Sequence, residues 1–377
     1  MQSLYWRSNR ISTPQMVAVA LCAALGLFVV ELNPTERRDE SYEIKSAAAH
    51  LADDAFRAVN LERIRRQIDL EPELDPSGSG LIGPAHTPIV SNEGHLTAKQ
   101  TSANPNFSAA FIDMLIKAGV RRGDLVAANM TGSFPAMNIA MCAAFEVLDV
   151  TPVIVSSVAA SEYGATHPEL TWLDMERSLF ERELFSFRSR AVTLGGVLDM
   201  ARDHSEEGVD LLRAAIDRSG LAPMYPASFE EAVRMRLDLF DQVRGDRDYA
   251  AYINIGGGTA SVGTASDKRH FSAGVNTRVP IELERSSVMR HYLERNIPVI
   301  HISHIAEIAR YYGLPETPVE TPSPGSGGVF TQTVLPAWTI VTVLGLIFLS
   351  MYLATRFDLR TTFGRSEERS GPPEPMI

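Results

Sequence analysis

The chain has 377 residues, 45% hydrophobic and 21% charged, an ordinary balance for a globular protein able to build one large domain or two intimate lobes. Its 46 acidic against 35 basic side chains give a net charge of −11, which argues against a nucleic-acid partner because phosphate binding is driven by basic surface. The two cysteines, Cys22 and Cys142, lie in unrelated segments without CxxC or Cys/His spacing, so no disulfide, metal site or cofactor is expected.

Residues 16–30 (MVAVALCAALGLFVV) form the first apolar run, with Arg7 and Arg10 before it and Glu31 after it. Extended to residue 32, it approaches the roughly 20 residues that span a bilayer. No A-x-A-like site follows it, and bulky Leu21 precedes Cys22. The run therefore predicts an uncleaved transmembrane helix rather than a signal peptide or a lipoprotein leader. Residues 40–67 predict a long amphipathic helix, read as a stalk, which stops at the turn-rich segment 70–83.

From residue 106 onward short apolar runs alternate with helical patterns. Helices are predicted over 107–118, 135–148, 172–180, 205–219, 228–243, 286–295 and 305–311. Strands are predicted at 125–129 (LVAAN), 151–155 (TPVIV), 251–255 (AYINI) and 298–302 (PVIHI). The expected fold class is α/β: a mostly parallel sheet with helices on both faces, flanked by one transmembrane helix at each end. The second membrane helix spans 334–354, after the linker TPSPGSGG (321–328) and before Arg356, Arg360, Arg365 and Arg369. Arginines outside both helices place both termini in the cytoplasm by the positive-inside rule.

The expected organisation is thus a cytoplasmic N-terminus (1–15), a transmembrane helix (16–32), a stalk helix and Pro/Gly linker (33–83) and an extracytoplasmic α/β domain (84–315). A Pro/Gly/Ser linker (316–333), a second transmembrane helix (334–354) and a basic, then disordered, cytoplasmic tail (355–377) complete a double-pass inner-membrane protein.

In open α/β sheets ligands bind beyond the carboxyl ends of the strands. The first predicted strand is followed by Thr131, Gly132 and Ser133, and the second by Ser156, Ser157 and Ser161. The third leads into Gly256, Gly257, Gly258 and Thr259, and the last into His301, Ser303 and His304. Glycines and hydroxyls beside helix N-termini favour an anionic ligand, a carboxylate or phosphate. Neither glycine-rich loop fits a nucleotide-binding motif. The polar loop over 94–106 adds His95 and Lys99 as candidate ligand contacts.

Ser133 sits at a strand–turn–helix junction, as a hydrolase nucleophile does, but M-T-G-S-F-P lacks the second glycine of the elbow. Ligand binding, nucleophilic catalysis with His301, His304 or Lys99 as base, and simple helix capping all fit it. His301 and His304 straddle a strand end and a helix cap, a spacing unsuited to a metal. Asp174 and Glu176, two apart on one helix, point in different directions and are expected in ion pairs or solvent.

Several stretches together resemble the poly-gamma-glutamate system protein family. They are 78–83 (GSGLIG), 94–107 (GHLTAKQTSANPNF), 132–140 (GSFPAMNIA), 151–157 (TPVIVSS), 170–177 (LTWLDMER), 252–263 (YINIGGGTASVG) and 297–301 (IPVIH). The resemblance runs from the first apolar helix to about residue 315. It implies a cell-envelope role in making, exporting or processing poly-γ-glutamate, with the synthase membrane subunits and an anionic polymer or glutamate-like ligand as partners. It implies no catalytic residues. The enzymatic alternative is a γ-glutamyl hydrolase or transferase with a serine nucleophile.

Overall fold

The computed structural model describes residues 13–356; the predicted cytoplasmic N-terminus with Arg7 and Arg10, and the tail with Arg360, Arg365 and Arg369, lie outside the described residues. The chain begins with α1 (Thr13–Leu32), β1 (Thr35–Arg38), α2 (Tyr42–Arg65), α3 (Leu96–Ser102), α4 (Phe107–Lys117), β2 (Leu125–Thr131) and α5 (Pro135–Leu148). It continues through β3 (Thr151–Ser157), α6 (Trp172–Glu181), β4 (Ala191–Thr193), α7 (Glu206–Ser219), β5 (Ala222–Met224), α8 (Phe229–Arg244) and β6 (Tyr249–Ile255). It closes with α9 (Thr259–Val262), α10 (Ala265–Lys268), β7 (Gly274–Asn276), α11 (Val288–Glu294), β8 (Val299–Ile302), α12 (Ile305–Tyr311), β9 (Thr331–Val334) and α13 (Ala337–Arg356).

These elements form two units: one holds both chain ends, and the other spans Arg38–Thr331. In the terminal unit, α1 and α13 pack along each other, and β1 pairs with β9. A side chain at Gly26 would collide with Val343, so glycine sets how closely these two helices approach. Both are 20 residues long, with mean hydropathy 2.2 and 2.0, long and apolar enough to cross a bilayer. Their large apolar side chains, from Met16 to Phe28 and from Trp338 to Tyr352, are mostly exposed.

The main unit is an α/β sandwich around a seven-stranded sheet of order β5-β4-β3-β2-β6-β8-β7. All neighbours pair parallel except β7, which runs antiparallel to β8 at the edge. The reason is written in the strands: every residue of β2 is buried, as is all of β3 after Thr151, so both faces need a helical cover. Phe111, Met137 and Phe145 pack on one face with the buried side of α2, and Phe229, Phe240 and Tyr292 on the other.

Two expectations change. The helix read as a stalk, α2, is a core element: Ala48, Ala49, Ala52, Ala55 and Val59 are fully buried against α4, α5 and α6. A stripe of alanines carries little hydrophobic signal, yet it lets helices approach closely. The domain boundaries at 84 and 315 widen accordingly to 38 and 331. The turn segment 70–83 also belongs to this unit, folded around the buried carboxylate of Asp75, which accepts from Ser77 Oγ, Ser79 N and Gly80 N.

Candidate functional site

Pairing sets the strand ends level. Thr131 is the register partner of Ser157, Ser157 of Thr193, Met130 of Ile255, and Ile255 of Ile302. The chain proceeds from β2 outward to β3, β4 and β5 on one side, then returns to place β6 and β8 on the other. The topological switch therefore lies between β2 and β6, where an open α/β sheet leaves a crevice. A cleft of about 610 Å³ occupies that place.

Its first wall is built by interlocked loops. Gly132 N donates to Ser157 O, and Ala165 N donates to Gly132 O. A Cβ on Gly132 would meet the Val158 carbonyl, so only glycine lets the loops after β2 and β3 close on each other. Ser161 N donates to Ser133 Oγ at 3.0 Å. The segment before α3 is laced to the same loop by Ser91 N to Ala160 O at 2.8 Å and Glu162 N to Asn92 O at 3.0 Å. That lacing delivers Lys99, in the last turn of α3, into the wall.

Lys99 Nζ donates to Ser133 O, lies 2.8 Å from Ser161 Oγ and sits 3.8 Å above the centre of the Phe134 ring. Burial, with a smaller contribution from the charge of Lys268, pushes its ammonium down to about 7. Lys268, from α10 across the cleft, is likewise held below its ordinary range by burial. Among the described residues, the ion pairs of this unit leave both lysines without a carboxylate partner. Thr131 Oγ1 and Ser303 Oγ are buried, line the cleft and have no hydrogen-bond partner among the described residues.

Beneath the cleft runs a buried polar chain. Asn254 Nδ2 donates to His301 Nδ1 at 3.0 Å, and Asn129 Nδ2 donates to Asn254 Oδ1 at 3.2 Å. Arg236 Nε donates to Asn129 Oδ1 at 3.4 Å; its Nη1 meets Asp199 Oδ2 at 2.5 Å and its Nη2 donates to Thr193 Oγ1 at 3.2 Å. Asp199 and Leu198 hold left-handed backbone, a strain kept at this edge by the surrounding bonds. His301 is pushed down to about 3, first by burial and then by Lys268 and His304, so its ring is neutral.

Of the residues expected at the rim, His95, Lys99, Thr131, Ser133, Ser157, Ser161, Gly256, Gly257, Gly258, Thr259, Ser303 and His304 line the cleft. Three do not. Gly132 backs the wall, Ser156 points into the core to share its Oγ with Ser189 and the Trp172 indole, and His301 lies under the floor beside Phe271. Neither histidine hydrogen-bonds Ser133: His304 is exposed, 3.8 Å from Glu307. Asp174 and Glu176 are both buried, Asp174 with Arg218 at 3.0 Å and Glu176 accepting from Ser189 N at 2.9 Å. Burial raises the Glu176 carboxyl above its ordinary range.

Sequence reading missed Asn129, Asn254, Arg236, Asp199 and Lys268. The available signal was an asparagine inside each of two otherwise apolar strands, LVAAN and AYINI; these two are register partners. Among the described residues, no cluster of three or more histidine, cysteine or acidic side chains could hold a metal ion. Set against known proteins, the chain matches no family model, no curated protein sequence and no solved structure.

Proposed function

We propose that this protein is a membrane-anchored component of a poly-γ-glutamate synthesis or export system, and that its α/β unit binds γ-glutamyl carboxylates in the switch-point cleft. The observation that carries the reading is that buried Lys99 and exposed Lys268, both lacking a carboxylate partner among the described residues, face one crevice with two buried, unpartnered hydroxyls. Such a wall offers N–H and O–H donors together with the charge of Lys268 inside an acidic protein, which suits a carboxylate and not a cation. The volume of the cleft, about 610 Å³, suits a ligand larger than a single small ion.

In this reading α1 and α13 are the anchors, both termini are cytoplasmic, and the unit faces the outside. The synthase membrane subunits meet the anchors, while the cleft takes the polymer. An acidic surface repels a polyanion over about 8 Å at physiological salt, so the positive cleft must act at short range.

The test is titration of the detergent-solubilised full chain with poly-γ-glutamate by calorimetry. Binding should weaken with salt, and Lys268→Glu should lower affinity at least tenfold. Absence of binding at low salt, or an unchanged affinity in Lys268→Glu, would refute the proposal.

A further inference from the structure

The wall of the cleft holds one contact that carboxylate binding does not require. Ser161 Oγ lies 2.8 Å from Lys99 Nζ, and both groups are buried where the loops after β2 and β3 meet α3. Ser133, the serine expected as a nucleophile, is differently placed. Its Oγ accepts from the Ser161 amide, and Lys99 reaches its carbonyl rather than its hydroxyl.

We propose that Ser161 and Lys99 are a nucleophile–base pair, giving this cleft acyl-transfer activity on amide-linked substrates. The substrate class, γ-glutamyl amides, rests on the reading of the cleft given above; the pair itself stands on its own geometry.

The surroundings fit a neutral amine better than an ammonium ion. A neutral lysine has two N–H donors and one lone pair. One N–H serves Ser133 O, and once the amine is neutral the 2.8 Å contact in which Nζ donates to Ser161 Oγ can reverse, the Ser161 hydroxyl donating to the lone pair. No carboxylate is present to hold a permanent ammonium, and a second cation, Lys268, is near enough to disfavour one. A lysine serving only as a structural cation would be expected to have an acidic partner at this depth.

In the forward step Ser161 Oγ attacks the amide carbonyl carbon, a C–O bond forms, and the hydroxyl proton passes to Lys99 Nζ. The electron pair displaced onto the carbonyl oxygen faces a cleft lined by Lys268 and the Thr131 hydroxyl. Collapse breaks the C–N bond, and Lys99 returns its proton to the leaving nitrogen. Water then attacks the Ser161 ester, gives a proton to Lys99 and leaves a carboxylic acid, while that proton restores the serine hydroxyl. The sum is amide plus water to acid plus amine; an amine in place of water gives transfer.

The experiment treats the detergent-solubilised full chain with a biotinylated fluorophosphonate and maps the adduct by peptide mass spectrometry. The expected result is modification of Ser161, at a rate that rises with pH about a midpoint near 7. Ser161→Ala and Lys99→Arg should each lower the rate at least 100-fold with retained melting curves. Should Lys99→Arg fold poorly, Ser161→Cys serves instead: its thiol should alkylate with iodoacetamide at least tenfold faster than free cysteine at pH 7. An unlabelled wild type, an adduct on Ser133 or elsewhere, or an ordinary rate for that thiol would overturn the pair. Polymer binding is measured separately, so the pair can fail while the binding site stands.

Discussion

At the scale of single residues, Lys99 ties stability to pH. Its ammonium titrates near 7 in the folded protein and near 10.4 in an unfolded chain, so between these values the unfolded state binds more protons. Folding stability carried by this residue therefore rises with pH across that interval. Lys99→Met removes the titration together with the cost of burying a cation. Denaturant melts of wild type minus variant should show a relative gain for the wild type of about 2 kcal/mol between about pH 7 and pH 9. A flat difference would mean that the amine is solvated in the folded state. Sequence named Lys99 as a ligand contact. It could not show that residues 91–99 would be laced to the loop carrying Ser161, because those bonds join backbone groups whose side chains carry no pattern.

At the scale of elements, α2 shows what periodicity conveys and what it omits. Its helical extent was legible over 40–67, close to the observed Tyr42–Arg65, but its place was not. Much of the buried face is alanine, and the helices it packs on, α4 and α5, bury Ala109, Ala110, Ala136, Ala140 and Ala144, all at most 2% exposed. Faces this small leave no room for a larger group. Ala52→Leu should therefore cost about 1–3 kcal/mol by overpacking, read as a lowered urea midpoint with an unchanged slope. The same change on a free stalk would be neutral. Of the five strands missed by sequence, β4, β5 and β7 are three residues each and β1 and β9 four, too short for a hydrophobic period to register. β2, β3, β6 and β8 were legible because burial on both faces makes their runs mostly apolar.

At the scale of the whole molecule, the sequence placed the rim correctly in outline because the ends of parallel strands necessarily lie along one edge. It could not resolve which side chains on that edge face the cleft. Ser156 and Ser157 are neighbours, yet alternation sends the first into the core and the second toward the cleft. The proposed topology makes a separate claim, that the main unit lies outside the cytoplasm. In a Cys22→Ser background, a cysteine placed at exposed Ser326 should react with a membrane-impermeant maleimide in intact cells. Buried Cys142 should not, since burial raises its thiol well above the ordinary range. Labelling of residue 326 only after lysis would reverse the orientation.

The central pairing of β2 with β6 joins segments that are distant along the chain, residues 125–131 and 249–255. A ribosome adding about 5–20 residues per second finishes the first on the order of ten seconds before the second. During that interval β2 has an open edge where its neighbour will dock, and the far bank of the crevice does not yet exist. The unfinished protein therefore lacks the crevice altogether, and it carries an unpaired apolar strand that must be shielded until synthesis catches up.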